Sequence, residues 1–272
     1  MKVNMQQNLN LTTTSDWARS ITNIALALFQ PFAQFTVQTA GVNDIATRSA
    51  QSTSLFTPPN FTFAIWGVIF IGMIAYGVYQ ILPRNISNIR LRKIGWWTAA
   101  AMALNVAWML QVILFGLNTA SLIIILAMLA SLLFAYFSLY KDKLPTRAEQ
   151  VFVVFPVSIF AAWITVASIA GIPIWFFNTA GFTFGQLADG VWVAILAIIA
   201  GLIAAFIMRQ NRGNIYYACV VIWALAGIAY KCFNLGETLA MIGALVAVVM
   251  VISAFLLIGK QVMQTNLIAN DK

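Results

Sequence analysis

Apolar positions along this chain come in long unbroken runs and not in alternation. Eight runs reach membrane-crossing length: 21–40, 61–82, 95–115, 120–140, 151–172, 191–208, 215–233 and 239–259. At about 1.5 Å of rise per residue, roughly 20 apolar residues cross a hydrocarbon core of about 30 Å. Outer-membrane strands would instead alternate polar and apolar residues over runs of about ten. The pattern predicts an all-α membrane protein, a polytopic bundle of about eight transmembrane helices. Lys231, near the end of the seventh run, is the one charged residue inside any of them.

The first run carries Gln30, Pro31 and Gln34, which predicts a kink or a partly interfacial helix. Asp16, Arg19 and Ser20 mark its start. As a secretory signal it is too long, begins too late and lacks a small-x-small cleavage site, so it is read as a retained span. Two long polar-to-aromatic connections, 41–60 and 173–190, share one face. The second holds Trp175, Phe176, Phe177, Phe182 and Phe184. These fit an interfacial aromatic belt, or, with the first connection, a lid over a cavity on that face.

Composition strengthens this picture. Charged residues are 8% of the chain and hydrophobic residues 62%, with a mean hydropathy of +0.89. Soluble domains carry about a quarter charged residues. The 15 basic residues divide thirteen to two. Lys2, Arg19, Arg84, Arg90, Arg92, Lys93, Lys141, Lys143, Arg147, Arg209, Arg212, Lys260 and Lys272 fall on one face, and Arg48 and Lys231 on the other. The positive-inside rule then puts both termini in the cytoplasm. The high pI is a topology signal, and nucleic acid is not an expected partner.

Candidate chemistry is sparse. The chain has no histidine, so neither zinc nor histidine-ligated haem is expected. Cys219 and Cys232 lie 13 residues apart on one span, about 20 Å along a helix, too far to pair. No carboxylate sits inside a run, which argues against an ion-coupled pump. Lys231 is expected to snorkel to the interface. Asn105 and Gln111 on the third run are read as hydrogen-bonding inside the bundle. Small residues recur at contact spacing (Ala99, Ala103, Ala107; Ala197, Gly201, Ala205; Gly243, Ala247), suiting close helix approach within the chain or between protomers.

Residues 56–76, FTPPNFTFAIWGVIFIGMIAY, carry a more specific signal. Pro58-Pro59 stiffens the connection and bars helix until about Asn60. Phe61, Phe63, Trp66 and Met73 follow. This stretch resembles the TspO family of tryptophan-rich sensory proteins, also called translocator proteins or peripheral benzodiazepine receptors. Phe70 stands where that family usually has tyrosine. Asn105 and Trp108 on the third run resemble the family's asparagine-x-x-tryptophan. Pro156, Phe160 and Trp163 on the fifth match its proline segment, although Val157 replaces a tyrosine and the closing asparagine is missing.

The resemblance covers about residues 20–172. It implies a five-helix bundle over 21–172; the division of basic residues adds a cytoplasmic segment 1–20 before it and places the aromatic loop 173–190 on the non-cytoplasmic side. Three added helices over 191–259 and a cytoplasmic tail 260–272 complete the expected organisation. A chain ending at Gly171 should then keep a ligand-competent core. The family binds tetrapyrroles, and some members bind sterols or drug-like molecules. Carried over by position, the expected ligand-binding residues are Trp66, Phe70, Asn105, Trp108, Phe160 and Trp163, beneath a loop lid at Pro58 and Pro59. Trp223, outside the resembling region, should be indifferent to ligand.

The implied function is a sensor, regulator or carrier for a porphyrin or similar hydrophobe, with a non-covalent tetrapyrrole and no covalent cofactor. The expected partners are the lipid bilayer and a porphyrin-like or sterol-like small molecule, with a homodimer by analogy to dimeric relatives. The alternative is an accessory subunit or assembly factor of a larger membrane complex. Enzymatic porphyrin oxidation ranks third, because only tryptophan here supports redox chemistry.

Overall fold

The computed structural model describes residues 12–39, 54–141, 144–178 and 189–270, with backbone alone at 36–39, 177–178, 189 and 265–270. Among the described residues there are eight long helices and no strand. They are α1 Thr14–Thr39, α2 Ile65–Ile81, α3 Ile89–Phe115, α4 Thr119–Ser138, α5 Phe155–Asn178, α6 Asp189–Gln210, α7 Ile215–Asn234 and α8 Thr238–Asn270. The hydrophobic runs thus fold as an all-α bundle. Helix starts are fixed by polar caps that satisfy otherwise unpaired amides. Thr13 and Asp16 bond reciprocally at α1, Asn88 caps α3, Asn118 and Ser121 form a capping box at α4, and Asn214 caps α7.

Among the described residues seven helices are long and apolar enough to cross a membrane, and α1 is not among them. The reason lies in its inward stripe. Arg19, Ser20, Asn23 and Gln30 are buried, while Phe29, Phe32 and Phe35 point outward. Neighbouring helices satisfy part of the polar stripe, although Ser20 Oγ and Gln30 Nε2 have no partner among the described residues. Asn23 donates to the Gly95 carbonyl (2.8 Å) and accepts from the Thr98 hydroxyl (2.8 Å), which also pairs with Tyr76 at 2.9 Å. The helix is continuous through Pro31.

Five helices close into a ring in the order α1, α2, α5, α4, α3, each packing on the next and α3 returning to α1. α7 lies against the outer side of α5, α8 packs on α7, and α6 packs chiefly on α8. The fifth span therefore stands between ring and outer layer, and 83% of its most apolar stretch is buried. Its start is reshaped by Pro156, which has no amide to continue the helical ladder. A π-helical turn over Gln150–Val154 precedes it, with the Phe155 amide bonding back to the Gln150 carbonyl. Pro156 lies against Gly72 of α2.

At its other end, α5 does not stop at Pro173 as the sequence suggested. It runs on to Asn178, so Trp175 and Phe176 are helical residues and not part of a loop. Phe182 and Phe184 lie outside the described residues.

The basic residues gather where helix ends meet. Arg19 pairs with Asp16 (2.9 Å) and donates to the Ile86 carbonyl (2.6 Å), while Arg92 pairs with Asp16 at 2.6 Å. Burial alone would raise the Asp16 carboxyl. Hydrogen bonds from Arg92 and Thr13, with the Arg92 charge, outweigh that and hold it well below the usual carboxylate range. Arg90 bridges Glu149 (2.6 Å) and the Leu139 carbonyl (2.8 Å). These contacts tie the starts of α1, α3 and α5 to the end of α4 on one face.

Small residues act mainly in the outer layer. Gly201 meets Ala247 at ordinary contact distance, and a side chain at Gly243 would overlap the Ala194 backbone, so α6 and α8 approach closely there. Ala103 and Ala107 of α3 are exposed instead.

Candidate functional site

The connection into α2 is built from both prolines. Pro59 precedes a 3-10 turn, Asn60–Ala64, whose entry angle is fixed by Thr62: its amide (3.0 Å) and hydroxyl (2.6 Å) both donate to the Pro59 carbonyl. Phe56 is fully buried and anchors the segment. Beneath it lies a cavity of about 70 Å³. Thr57 and Pro58 roof it. Phe63 and Trp66 enter from the start of α2, Trp108 from α3, Ser121, Leu122 and Ile125 from α4, and Trp163, Ile164, Ala167, Gly171, Ile174 and Trp175 from α5. Among the described residues no charged side chain lines it.

The aromatic residues form one connected wall. Trp66 stacks on Phe70 (5.4 Å between centroids, 29°) and meets Phe160 (6.0 Å) and Trp163 (6.3 Å) edge-on. Phe63 meets Trp163 edge-on at 5.5 Å. Such pairs hold ring orientation beyond what burial alone achieves. Cavity polarity is partly spoken for: Asn118 and Ser121 bond to each other in the α4 cap, and the Trp175 indole donates to Thr119 at 2.8 Å, while the buried Trp66 indole N–H has no partner among the described residues.

Of the residues named from sequence, Pro58, Trp66, Trp108 and Trp163 line the cavity. Phe70 and Phe160 stand behind Trp66 as its packing support and do not line it. Pro59 faces away from the cavity, toward Gly227 of α7. Asn105 points elsewhere: its side chain donates to Gln30 Oε1 at 2.8 Å, so it ties α3 to α1. Leu117, Leu122, Ala167, Gly171 and Ile174 also line the space. As ordinary apolar residues they carry no motif by which sequence reading could single them out.

Two further expectations are corrected here. Lys231 does not snorkel outward; its ammonium turns onto the proline segment, donating to the carbonyls of Ser54 (3.2 Å) and Thr57 (3.1 Å). The two carbonyls of the proline-stiffened turn give the ammonium charge-assisted bonds within the protein. Nor is Trp223 remote, since its indole donates to the Thr62 carbonyl at 3.1 Å. A cut after Gly171 would remove Ile174 and Trp175 from the cavity wall and α7 from the roof. The five-helix part alone is therefore an incomplete site.

The arrangement defines a class: a polytopic helical membrane protein with an aromatic, uncharged cavity under a proline-stiffened roof. The chain belongs to the TSPO-like family, whose description, TSPO-like protein, matches residues 18–258. The match runs past the ring into α6, α7 and most of α8, farther than the motifs recognisable in the sequence. No curated protein and no solved structure matches the chain.

If Asn105 serves packing, Asn105→Leu should lower stability by about 0.5–1.5 kcal/mol through the stranded Gln30 amide. Adding Gln30→Leu should recover part of that loss in detergent thermal unfolding. Equal, additive losses from the two changes would show that the residues are not coupled.

Proposed function

We propose that this protein binds a flat, hydrophobic ligand of the tetrapyrrole class in the cavity beneath Pro58, as a TspO-type sensor, regulator or carrier. The observation that carries the reading is the convergence of Trp66, Trp108 and Trp163 on one uncharged space. Aromatic walls with few polar groups suit a large apolar π-system. Drug-sized ligands occupy about 300–1,000 Å³, so a tetrapyrrole requires the roof to yield, whereas a small apolar molecule does not. A sterol-like ligand meets the same walls without a π-face.

Titrating purified protein with protoporphyrin and, separately, with a sterol tests the reading. A saturable site for protoporphyrin supports it. Saturation by the sterol alone shifts the ligand class, and stoichiometric co-purification of other subunits without either ligand favours a role in a larger complex. Trp66→Phe and Trp163→Phe should each weaken protoporphyrin binding by about tenfold, taking roughly 1–3 kcal/mol per stacked aromatic as guide, with thermal stability nearly unchanged. Binding as tight as the parent's in both variants contradicts the assignment.

The division of basic residues supports an orientation with both termini in the cytoplasm. The cluster of Arg19, Arg90 and Arg92 lies at the same end of the bundle as the loop before α7, where Asn211 donates to the Tyr136 carbonyl. Single cysteines at Thr119 and Gln210, in a chain lacking Cys219 and Cys232, should react with an impermeant reagent from opposite sides. Labelling of both from one side contradicts the topology.

A further inference from the structure

The segment 54–64 has two sides. Thr57, Pro58 and Phe63 face the cavity. The other side is held by one face of α7, at residues 223, 227, 230 and 231, which recur at helical spacing. Phe61 sits edge-on between Trp223 (5.8 Å, 82°) and Tyr230 (5.6 Å, 81°). The Trp223 indole donates to the Thr62 carbonyl, and the Lys231 ammonium bridges the Ser54 and Thr57 carbonyls. At Gly227 a Cβ would overlap the Thr62 methyl and reach Pro59 Cδ at 3.4 Å, so glycine there lets the segment sit flush on the helix.

α7 is itself fixed from behind. Asn214 donates to Ser158 (2.8 Å) and the Tyr217 hydroxyl to Thr165 (2.8 Å), both on α5. α8 covers its other side. The clamp is thus mounted on a rigid helix, while its load is a short turn with two prolines. Pro58 and Pro59 have no amide hydrogen, so the turn's own bonds are confined to its two ends, Thr57 to Ser54 before the prolines and Thr62 to Pro59 after them. The bonds to α7 join both ends to one helix.

We propose that α7 is the lock of the cavity roof, with Lys231 and Trp223 as positioning residues that set how often segment 54–64 opens. Neither lines the cavity; both act through the backbone of residues that do or that adjoin them. The three helices beyond the ring thereby govern access to the space inside it. The lock stands on contacts of the protein alone; only its consequence for protoporphyrin rests on the function proposed above.

The test is hydrogen–deuterium exchange of the ligand-free full chain in detergent, read at the amides of Phe56, Thr57 and Thr62. Lys231→Met keeps the side-chain stem and removes the charge-assisted bonds; Trp223→Phe keeps a ring and removes the donor. Lys231→Met should raise exchange in this segment by about tenfold or more, the scale of one lost hydrogen bond to a charged group, and Trp223→Phe by about two- to tenfold, the scale of a neutral one. Exchange in α3 and α4 should be unchanged. Trp97→Phe, at a stacked pair with Phe134 across α3 and α4, should leave the segment as in the parent.

Protoporphyrin dissociation, measured on the same variants, should accelerate in parallel. Unchanged exchange in both variants overturns the lock. Raised exchange in the variants, with no saturable protoporphyrin binding by the parent, upholds the lock and overturns only the ligand reading. A variant that exchanges faster throughout the bundle has lost its fold, and the other variant then decides.

Discussion

Irregular backbone in a membrane protein must find its hydrogen-bond partners within the protein, because hydrocarbon offers none. The turn carrying Pro58 and Pro59 meets this constraint partly within itself, Thr57 donating to Ser54 and Ile65 to Thr62, and partly through donors from α7: an ammonium for two carbonyls and an indole for a third. Much of the architecture follows. α7 must stand beside the start of α2, α5 must hold α7 through Ser158 and Thr165, and α6 and α8 must brace α7 from outside. What looks like a five-helix ring with an appended layer is mechanically one unit at the cavity roof.

The same constraint governs the opposite end. There Asp16 accepts from Arg19 and Arg92 and Glu149 from Arg90, while Arg19 and Arg90 also donate to the Ile86 and Leu139 carbonyls. Breaking a buried pair leaves an uncompensated charge, a cost of several kcal/mol. The basic end is thus cross-linked by ionic contacts, while the roof end is held by a few bonds to a turn. That asymmetry places the compliant part of the molecule over the cavity.

Hydropathy made the bundle legible, and the double proline located the roof. Trp66, Trp108 and Trp163 were readable because tryptophan at those spacings is uncommon enough to carry a family resemblance. Asn105 misled because one residue type serves equally for ligand contact and for tying α3 to α1. α1 was hard to grade because hydropathy averages over a helix and cannot see that the Asn23 side chain and the Gln30 side-chain oxygen find partners 72 or more residues away. The end of α5 was misplaced because Pro173 reads locally as a breaker, whereas burial of Ile174 against the bundle carries the helix onward. Lys231 could not be assigned from sequence at all, since its acceptors lie 174 and 177 residues distant.

The central claim is that an apolar ligand occupies the tryptophan-walled space inside the bundle and not the lipid-facing surface. The outer face of α8 offers the competing location, a shallow groove along Ile242, Val246 and Val249. Photolabelling the intact protein with a diazirine-bearing protoporphyrin, followed by mass-spectrometric mapping of the adducts, separates the two most directly. Saturable adducts on peptides containing Thr57, Trp108, Leu122 or Ile164 are the predicted result. Adducts confined to the α8 groove, or labelling that excess unmodified protoporphyrin does not suppress, would contradict it.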